Sequence, residues 1–108
     1  MALPRYQNFV NGIYTANQTG EFFDVINPAT AQVIYQVEIA DNSIKSAAID
    51  SAKKGFAIWS AMTPIERTRV LNRAAALLRE RNDELAHIEV LDTGKPWQEA
   101  ECVDVVSG

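Results

Sequence analysis

The stretch Thr63–Pro96 reads TPIERTRVLNRAAALLRERNDELAHIEVLDTGKP, and its first residues predict the start of a helix. Thr63 is a residue type that caps helices, and Pro64 suits the first helical position because its missing N–H would have no partner there. Glu66 completes the pattern of a capping box, in which the first and fourth residues bind each other's backbone N–H groups. The sequence therefore predicts a helix that begins at Pro64.

The other end of the same stretch predicts the end of a helix. Gly94 accepts the left-handed conformation that commonly follows a helix, and the Lys-Pro pair after it complements the carbonyl end and prevents the helix from continuing. Between the two ends, apolar residues recur at helical spacing, but Asn82-Asp83 prefer caps to helix interiors. We therefore predict two helices, over residues 64–81 and 83–93.

Further helices are predicted on both sides of this pair. Asp41-Asn42-Ser43 is a cluster of capping residues, and the apolar residues that follow recur with a helical period. This pattern predicts a helix over residues 43–60. The segment WQEAECVDVVSG, residues 97–108, resembles the first turns of a fourth helix. Residues 41–108 are thus predicted to be a helical segment.

The first forty residues have the pattern of β-strands. Asn11-Gly12 separates two β-prone runs within residues 6–15, and both residues tolerate the positive φ of a tight hairpin turn. Two more strands are predicted at residues 22–26 and 32–39, on either side of an Asn-Pro-Ala-Thr turn. The second of these alternates so that one face is expected to be buried. The predicted fold is α+β, with antiparallel β-hairpins over residues 1–40 followed by three to four α-helices.

Composition restricts the class of protein. The chain has 108 residues, the size of one domain, with a net charge of −4 and one cysteine. No apolar run is long enough to span a bilayer, and the first residues lack the pattern of a secretion signal. The lone cysteine fits a reducing compartment, and an acidic balance opposes binding to a phosphate backbone. The composition predicts a cytoplasmic globular protein that binds neither membranes nor nucleic acid.

Few residues of this chain could carry chemistry. Its five glycines are too far apart to form a phosphate-binding loop. His87 has no second His or Cys at metal-ligand spacing and is predicted to be solvated, and acidic neighbours favour an unreactive thiol at Cys102. Five arginines between residues 67 and 81 alternate with acids, and we predict a solvated face with an Arg79–Asp83 ion pair.

Three charged side chains interrupt the apolar faces of the predicted helices. On a helical wheel, Arg67 lies within about 40° of apolar residues of its helix, and Glu89 and Asp92 share a face with apolar residues of the next. Because buried charges need partners, we predict that Arg67 pairs with Glu89 or another inward acid, and that Asp92 faces a polar or ionic site. The alternative is that local rotation carries these side chains to the rim.

Taken together, these residues resemble the N-terminal part of the aldehyde dehydrogenases. The resemblance extends from about Tyr6 to Gly108, and within the family the run ERNDELAHIEVLDTGKP is most similar to the betaine aldehyde dehydrogenases. The matching residues are Asn11-Gly12, Asn27-Pro28-Ala29-Thr30, Trp59, Arg67, Leu71, Leu77, Leu85-Ala86, Glu89, Asp92-Thr93-Gly94-Lys95-Pro96, Glu99-Ala100 and Asp104.

The resemblance implies a much longer enzyme of α/β fold, with a Rossmann-like NAD(P)-binding domain that the helical segment flanks. It implies NAD(P)-dependent oxidation of betaine aldehyde to glycine betaine by a homo-oligomer. The family's catalytic and cofactor-binding residues match no residue of this sequence, so the chain alone is expected to bind no NAD(P) and to be inactive. The rival hypothesis is a truncated, stand-alone α+β module that acts through self-association or partner binding.

The resemblance also implies one site within this chain. In the betaine aldehyde branch a structural monovalent cation is held by main-chain carbonyls and by an inward carboxylate, and the corresponding residues here are Val25, Ile26 and Asp92. K⁺ or Na⁺ suits these ligands because hard cations prefer oxygen. A remaining ligand is expected from downstream residues.

Overall fold

The structure is a computed structural model that describes residues 2–104. Its α+β architecture, strands first and helices after, agrees with the sequence prediction. The part of the predicted fourth helix that falls on residues 105–108 lies outside the described residues. The elements are β1 (Arg5–Tyr6), β2 (Asn8–Val10), β3 (Ile13–Thr15), β4 (Phe22–Ile26), β5 (Val33–Glu38), α1 (Asn42–Ala61), α2 (Pro64–Glu80), α3 (Asn82–Thr93), α4 (Trp97–Glu99) and a π-helical segment (Ala100–Asp104).

The chain divides into two compact units. The first contains the residues up to Val25 together with Val33–Met62, and the second contains Ile26–Gln32 together with the residues from Thr63 onward. The short segment Ile26–Gln32 thus belongs with the helices that follow in sequence. The division at residue 40 stays a prediction.

In the first unit, β2 and β3 form the predicted hairpin. They pair antiparallel with Phe9 opposite Tyr14, and the two rings lie 5.0 Å apart between centroids. Asn11 has φ 52° and Gly12 has φ 76°, so both turn residues are left-handed, as a type I′ turn requires. The turn chemistry of two residues therefore fixes the register of this hairpin.

The other three strands form a sheet in the order β1-β5-β4. β1 pairs with β5 in parallel, placing Arg5 opposite Gln36 and Tyr6 opposite Val37. The prediction of antiparallel strands throughout misses this pair. A parallel pair joins strands separated by a long crossover, so no local sequence pattern marks it.

β5 is the central strand, and all six of its residues are half-buried. The alternation in its sequence predicted one buried face, whereas the residues of both faces are half-buried. Its polar side chains have partners: Gln36 Nε2 donates to Asp24 Oδ1 at 2.8 Å, and Glu38 Oε2 accepts the Asn17 N–H at 2.9 Å. These hydrogen bonds offset the cost of removing polar groups from water.

α1 begins within one residue of its predicted start. Asp41 caps it, because Oδ1 accepts the Ile44 N–H at 2.9 Å, while Oδ2 accepts the Gln18 N–H at 2.9 Å. The hydrogen bond from Gln18, followed by that from Ile44, holds the pKa of Asp41 below its ordinary value. One carboxylate therefore joins the loop after β3 to the start of α1.

In the second unit, α2 begins with the predicted capping box. The Glu66 N–H donates to Thr63 Oγ1 at 3.3 Å, and the Thr63 N–H donates to Glu66 Oε2 at 2.7 Å. Of the seventeen residues of α2, only Arg67 and Ala75 are half-buried, and the others are exposed. Local capping defines where this helix begins, but little of it packs against the described residues.

The ion pair between α2 and α3 differs from the predicted one. Arg81 binds Glu84 through two hydrogen bonds of 2.6 and 2.9 Å, which raise the pKa of Arg81 and lower that of Glu84. The predicted Arg79–Asp83 pair does not form, because α2 ends at Glu80 and the helical i,i+4 spacing does not continue across the break.

The segment after α3 packs against it. Ala86 of α3 and Ala100 at the start of the π-helical segment are both fully buried, and Asn82 Nδ2 donates to the Glu101 carbonyl at 3.2 Å. Two alanines allow the two segments to approach closely. This contact contains two of the few buried apolar side chains of residues 2–102.

Candidate functional site

The loop Asn27–Gln32, which follows β4, is closed by one asparagine. Asn27 is only 8% exposed, and its Oδ1 accepts the Ala29 N–H at 2.9 Å. Its own N–H donates to the Gln32 carbonyl at 2.9 Å, and its carbonyl accepts the Ala31 N–H at 2.8 Å. Ala31 has φ 58°, an uncommon conformation for a residue with a β-carbon. The loop is thus fixed by hydrogen bonds to a single buried residue.

This loop lies against the end of α3. Gly94 has φ 72° and donates its N–H to the Val90 carbonyl at 2.9 Å, so it ends the helix as predicted. A β-carbon added to Gly94 would lie 2.9 Å from Pro28 Cγ and 3.8 Å from the Ala29 nitrogen. Gly94 therefore has two functions: it supplies the left-handed residue and leaves space for the loop.

The charged side chains at the end of α3 do not pair as the sequence suggested. Glu89 is half-buried and forms an ion pair with Lys95 at 3.5 Å, while Thr93 Oγ1 donates to the Glu89 carbonyl at 2.7 Å. The left-handed Gly94 turns the chain so that Lys95 comes back toward Glu89. The predicted Arg67–Glu89 pair is therefore wrong.

Asp92 is exposed rather than inward-facing. It lies in the last turn of α3 and is exposed there, so the helical-wheel expectation of an inward carboxylate is not met. The side chain does make an interaction within the protein. Of the three charges predicted to face inward, Arg67 and Glu89 are half-buried and Asp92 is not.

The predicted cation ligands can be located, although the site itself stays a prediction. Ile26 is the last residue of β4 and belongs to the same compact unit as Asp92, whereas Val25 is half-buried and belongs to the first unit. Their donors would be two main-chain carbonyls and a carboxylate, which are hard oxygen ligands suited to an alkali cation. The chemistry of the donor set therefore fits K⁺ or Na⁺.

Arg67 is half-buried, and its Nε is enclosed with no hydrogen-bond partner within the part of the chain that the structure describes. A buried donor without an acceptor loses its hydration without compensation, at a cost of about 1–3 kcal/mol. The sequence pattern identified Arg67 as unusual, but it did not predict a guanidinium nitrogen left without an acceptor.

The remaining candidate residues have no site around them. His87 is exposed, as predicted, with its ring 6.5 Å from that of Trp97 between centroids, and Cys102 is an exposed free thiol. Among residues 2–102, no three His, Cys, Asp or Glu side chains come together as a metal site would require. No helix within residues 2–104 is both long and apolar enough to cross a membrane.

One cavity in the first unit was not predicted. It lies beside the hairpin turn, has a volume of about 320 Å³ and is open to solvent. Its lining combines one acid and one base with small and neutral polar side chains. The lining residues are Val10, Asn11, Ala47, Asp50, Ser51 and Lys54.

Comparison with known proteins identifies the family. The aldehyde dehydrogenase family model matches residues 14–108. Betaine aldehyde dehydrogenase of Vibrio vulnificus strain YJ016 is 48% identical over 101 residues, which cover 94% of this chain and 21% of that protein. The chain belongs to the aldehyde dehydrogenase family. This confirms the resemblance, and this aldehyde dehydrogenase chain spans about a fifth of the length of the curated relative.

Solved structures of the family share the fold. PnpE in complex with nicotinamide adenine dinucleotide matches with a TM-score of 0.87 and 31% identity, covering 94% of this chain and 21% of that one. An aldehyde dehydrogenase from Bartonella henselae matches with a TM-score of 0.91 at 22% identity, covering 98% of this chain and 22% of that one, a likeness that shows the fold alone. The α+β arrangement of strands and helices is therefore that of part of an aldehyde dehydrogenase.

Proposed function

We propose that this chain is the N-terminal part of an NAD(P)-dependent dehydrogenase of the betaine aldehyde type. The observation that carries the proposal is the 48% identity to a betaine aldehyde dehydrogenase over nearly the whole chain. The complete enzyme oxidises betaine aldehyde to glycine betaine: water supplies the second oxygen of the carboxylate, NAD(P)⁺ accepts the hydride, and two protons are released. The biological role is synthesis of an osmoprotectant in the cytoplasm.

Within that enzyme the chain acts as scaffold. None of its residues is assigned to catalysis or to cofactor binding, so the free chain has no dehydrogenase activity. Its capped helices and hairpin instead hold their own geometry and present apolar faces to the rest of the subunit. The net charge of −4 supports the expectation that nucleic acid is not a partner.

The cation site is part of the same proposal. The main-chain carbonyls of Val25 and Ile26 and the carboxylate of Asp92 hold K⁺ or Na⁺, with a further ligand from the rest of the enzyme. The chemistry of the donors supports this role, because main-chain carbonyls and a carboxylate are the hard oxygen ligands that an alkali cation prefers.

Exposed apolar side chains favour a second candidate function, self-association of a stand-alone module. On α1, Phe56 is 70% exposed and Ile58 is 69% exposed, which is unusual for residues of this size. Light scattering on the purified chain distinguishes the two functions. A stable dimer or larger homo-oligomer of the free chain supports the module, and a monodisperse monomer contradicts it.

Replacement of part of a known enzyme tests the main proposal. The present chain is substituted for the matched segment of the V. vulnificus enzyme, and NADH production is measured with betaine aldehyde. As a matched control, the same substitution is made in the B. henselae dehydrogenase, whose matched segment is 22% identical. We expect the first chimera to keep kcat within about tenfold of its parent, and the second to lose much more. If both chimeras retain kcat equally, or if both lose it, the betaine-type assignment is contradicted.

A further inference from the structure

One face of α2 carries a continuous apolar surface with a charge at its N-terminal end. On a helical wheel this surface spans roughly 120°, and Arg67 lies within it as its first residue in sequence. Val70, Leu71, Leu77 and Leu78 are 49%, 59%, 40% and 45% exposed. We call this surface the α2 stripe; it consists of Arg67, Val70, Leu71, Ala74, Leu77 and Leu78.

The α2 stripe is not the solvent face of the helix. Arg69, Arg73 and Arg79 lie on the opposite side and are exposed, so α2 already has a charged face for water. A helix with a charged face and an apolar face normally packs the apolar one against other residues. In this chain that packing is missing, although the helix is fully capped at its start.

The unpaired guanidinium of Arg67 determines the chemistry that the covering surface needs. Its Nε–H is enclosed and has no acceptor among the described residues, and Glu89, the acid predicted for it, is already paired with Lys95. Covering the stripe would bury the guanidinium further. A buried guanidinium requires a negatively charged acceptor to offset its loss of hydration.

We propose that the α2 stripe is a docking surface for a segment of the remaining dehydrogenase polypeptide, one that places a carboxylate against Arg67. The inference rests on the proposed function, because the relatives are about five times longer than this chain and their additional length is the source of the covering segment. A second copy of the chain does not meet the requirement. Two facing α2 stripes would bring two arginines together with no acid within either stripe.

The test uses the chimera of this chain with the V. vulnificus enzyme, with the chain alone for comparison. In the chimera, the amide hydrogens of α2 should exchange at least about tenfold more slowly than in the free chain. Equal exchange would show that nothing covers α2 and would overturn the proposal. A chimera that does not fold would overturn it too, since a fitting surface should permit assembly.

The direction in which one substitution changes the melting temperature tests for the carboxylate. Arg67→Met keeps an apolar side chain but removes the donors, so in the chimera it leaves a buried carboxylate unpaired and should lower the melting temperature by at least about 5 °C. In the free chain the same change removes a donor that has no partner, and the melting temperature should stay the same or rise. Arg73→Met, on the solvent face, should have little effect in either.

The remaining outcomes separate this inference from the proposed function. Arg67→Lys, which keeps the charge, should recover part of the lost melting temperature. A chimera that makes NADH but tolerates Arg67→Met as well as Arg73→Met would overturn the docking proposal and leave the function standing. A chimera that shows the melting and exchange effects but makes no NADH would overturn the function alone. Concentration-dependent protection of α2 in the free chain would identify a second copy as occupant and refute the proposal.

Discussion

Pro28 and Gly94 are in such close contact that a β-carbon on Gly94 would lie 2.9 Å from Pro28 Cγ. Gly94 is also left-handed, with φ 72°, a conformation that costs a residue with a β-carbon about 1–2 kcal/mol. Gly94→Ala should therefore lower the free energy of unfolding by about 2 kcal/mol or more, measured by urea denaturation.

Gly12→Ala is the matched control for this substitution. Gly12 has nearly the same φ, 76°, but nothing lies within 4 Å of an added β-carbon. Gly12→Ala should therefore lower the free energy of unfolding only by the cost of the left-handed conformation, without a steric contribution. If both substitutions cost the same, the contact with Pro28 contributes nothing. If Pro28→Ala restores part of the stability of Gly94→Ala, the contact is the cause.

The carboxylate of Asp41 should make the stability of the chain depend on pH. Its pKa is lowered from the ordinary 3.8 by hydrogen bonds from the Gln18 and Ile44 N–H groups. Because the pKa of Asp41 is lower in the folded state than in the unfolded state, its contribution to stability is complete at pH values above the unfolded-state pKa. That contribution is lost as the pH falls through the folded-state pKa.

Asp41→Asn should remove this dependence. The amide has one acceptor oxygen where the carboxylate has two, so it cannot serve both N–H groups in the same way. Thermal melting followed by circular dichroism from pH 6 down to pH 2 should show a smaller loss of melting temperature for the variant than for the parent chain. Asp50→Asn, at an exposed position of α1, is the control and should follow the parent. Identical curves for the parent and Asp41→Asn would contradict the assignment.

The cation proposal predicts selective stabilisation by K⁺ or Na⁺. Binding to the folded state alone adds about 2.7 kcal/mol at a hundredfold excess over Kd. The V. vulnificus chimera should therefore melt at a higher temperature in KCl or NaCl than in N-methylglucamine chloride of equal ionic strength. Asp92→Asn should abolish the difference, and Asp50→Asn should leave it intact. A chimera with no preference between the salts would refute the site.

Local chemistry accounts for the features that the sequence predicted well. The turn at Asn11-Gly12 needs only two residues that tolerate positive φ, and the start of α2 needs only Thr63 and Glu66. Gly94 ends α3 for the same kind of reason. Each of these signals lies within four or five residues, and each is satisfied by the backbone next to it.

Contacts between distant segments could not be predicted in this way. The parallel pairing of Arg5 with Gln36 crosses thirty-one residues, and the packing of Pro28 against Gly94 crosses more. The ion pair of Glu89 with Lys95 depends on the direction the chain takes after a left-handed residue. The sequence identified Glu89 as a charge on an apolar face, but only the three-dimensional path of the chain determines the partners of all these residues.

The position of Arg67 within the α2 stripe also affects solubility during folding. A purely apolar row of leucines and valines on an exposed helix would promote aggregation, whereas a charge on the same face makes burial against a surface without an acid unfavourable. The same guanidinium that needs an acidic partner therefore disfavours incorrect association of the α2 stripe until that partner covers it.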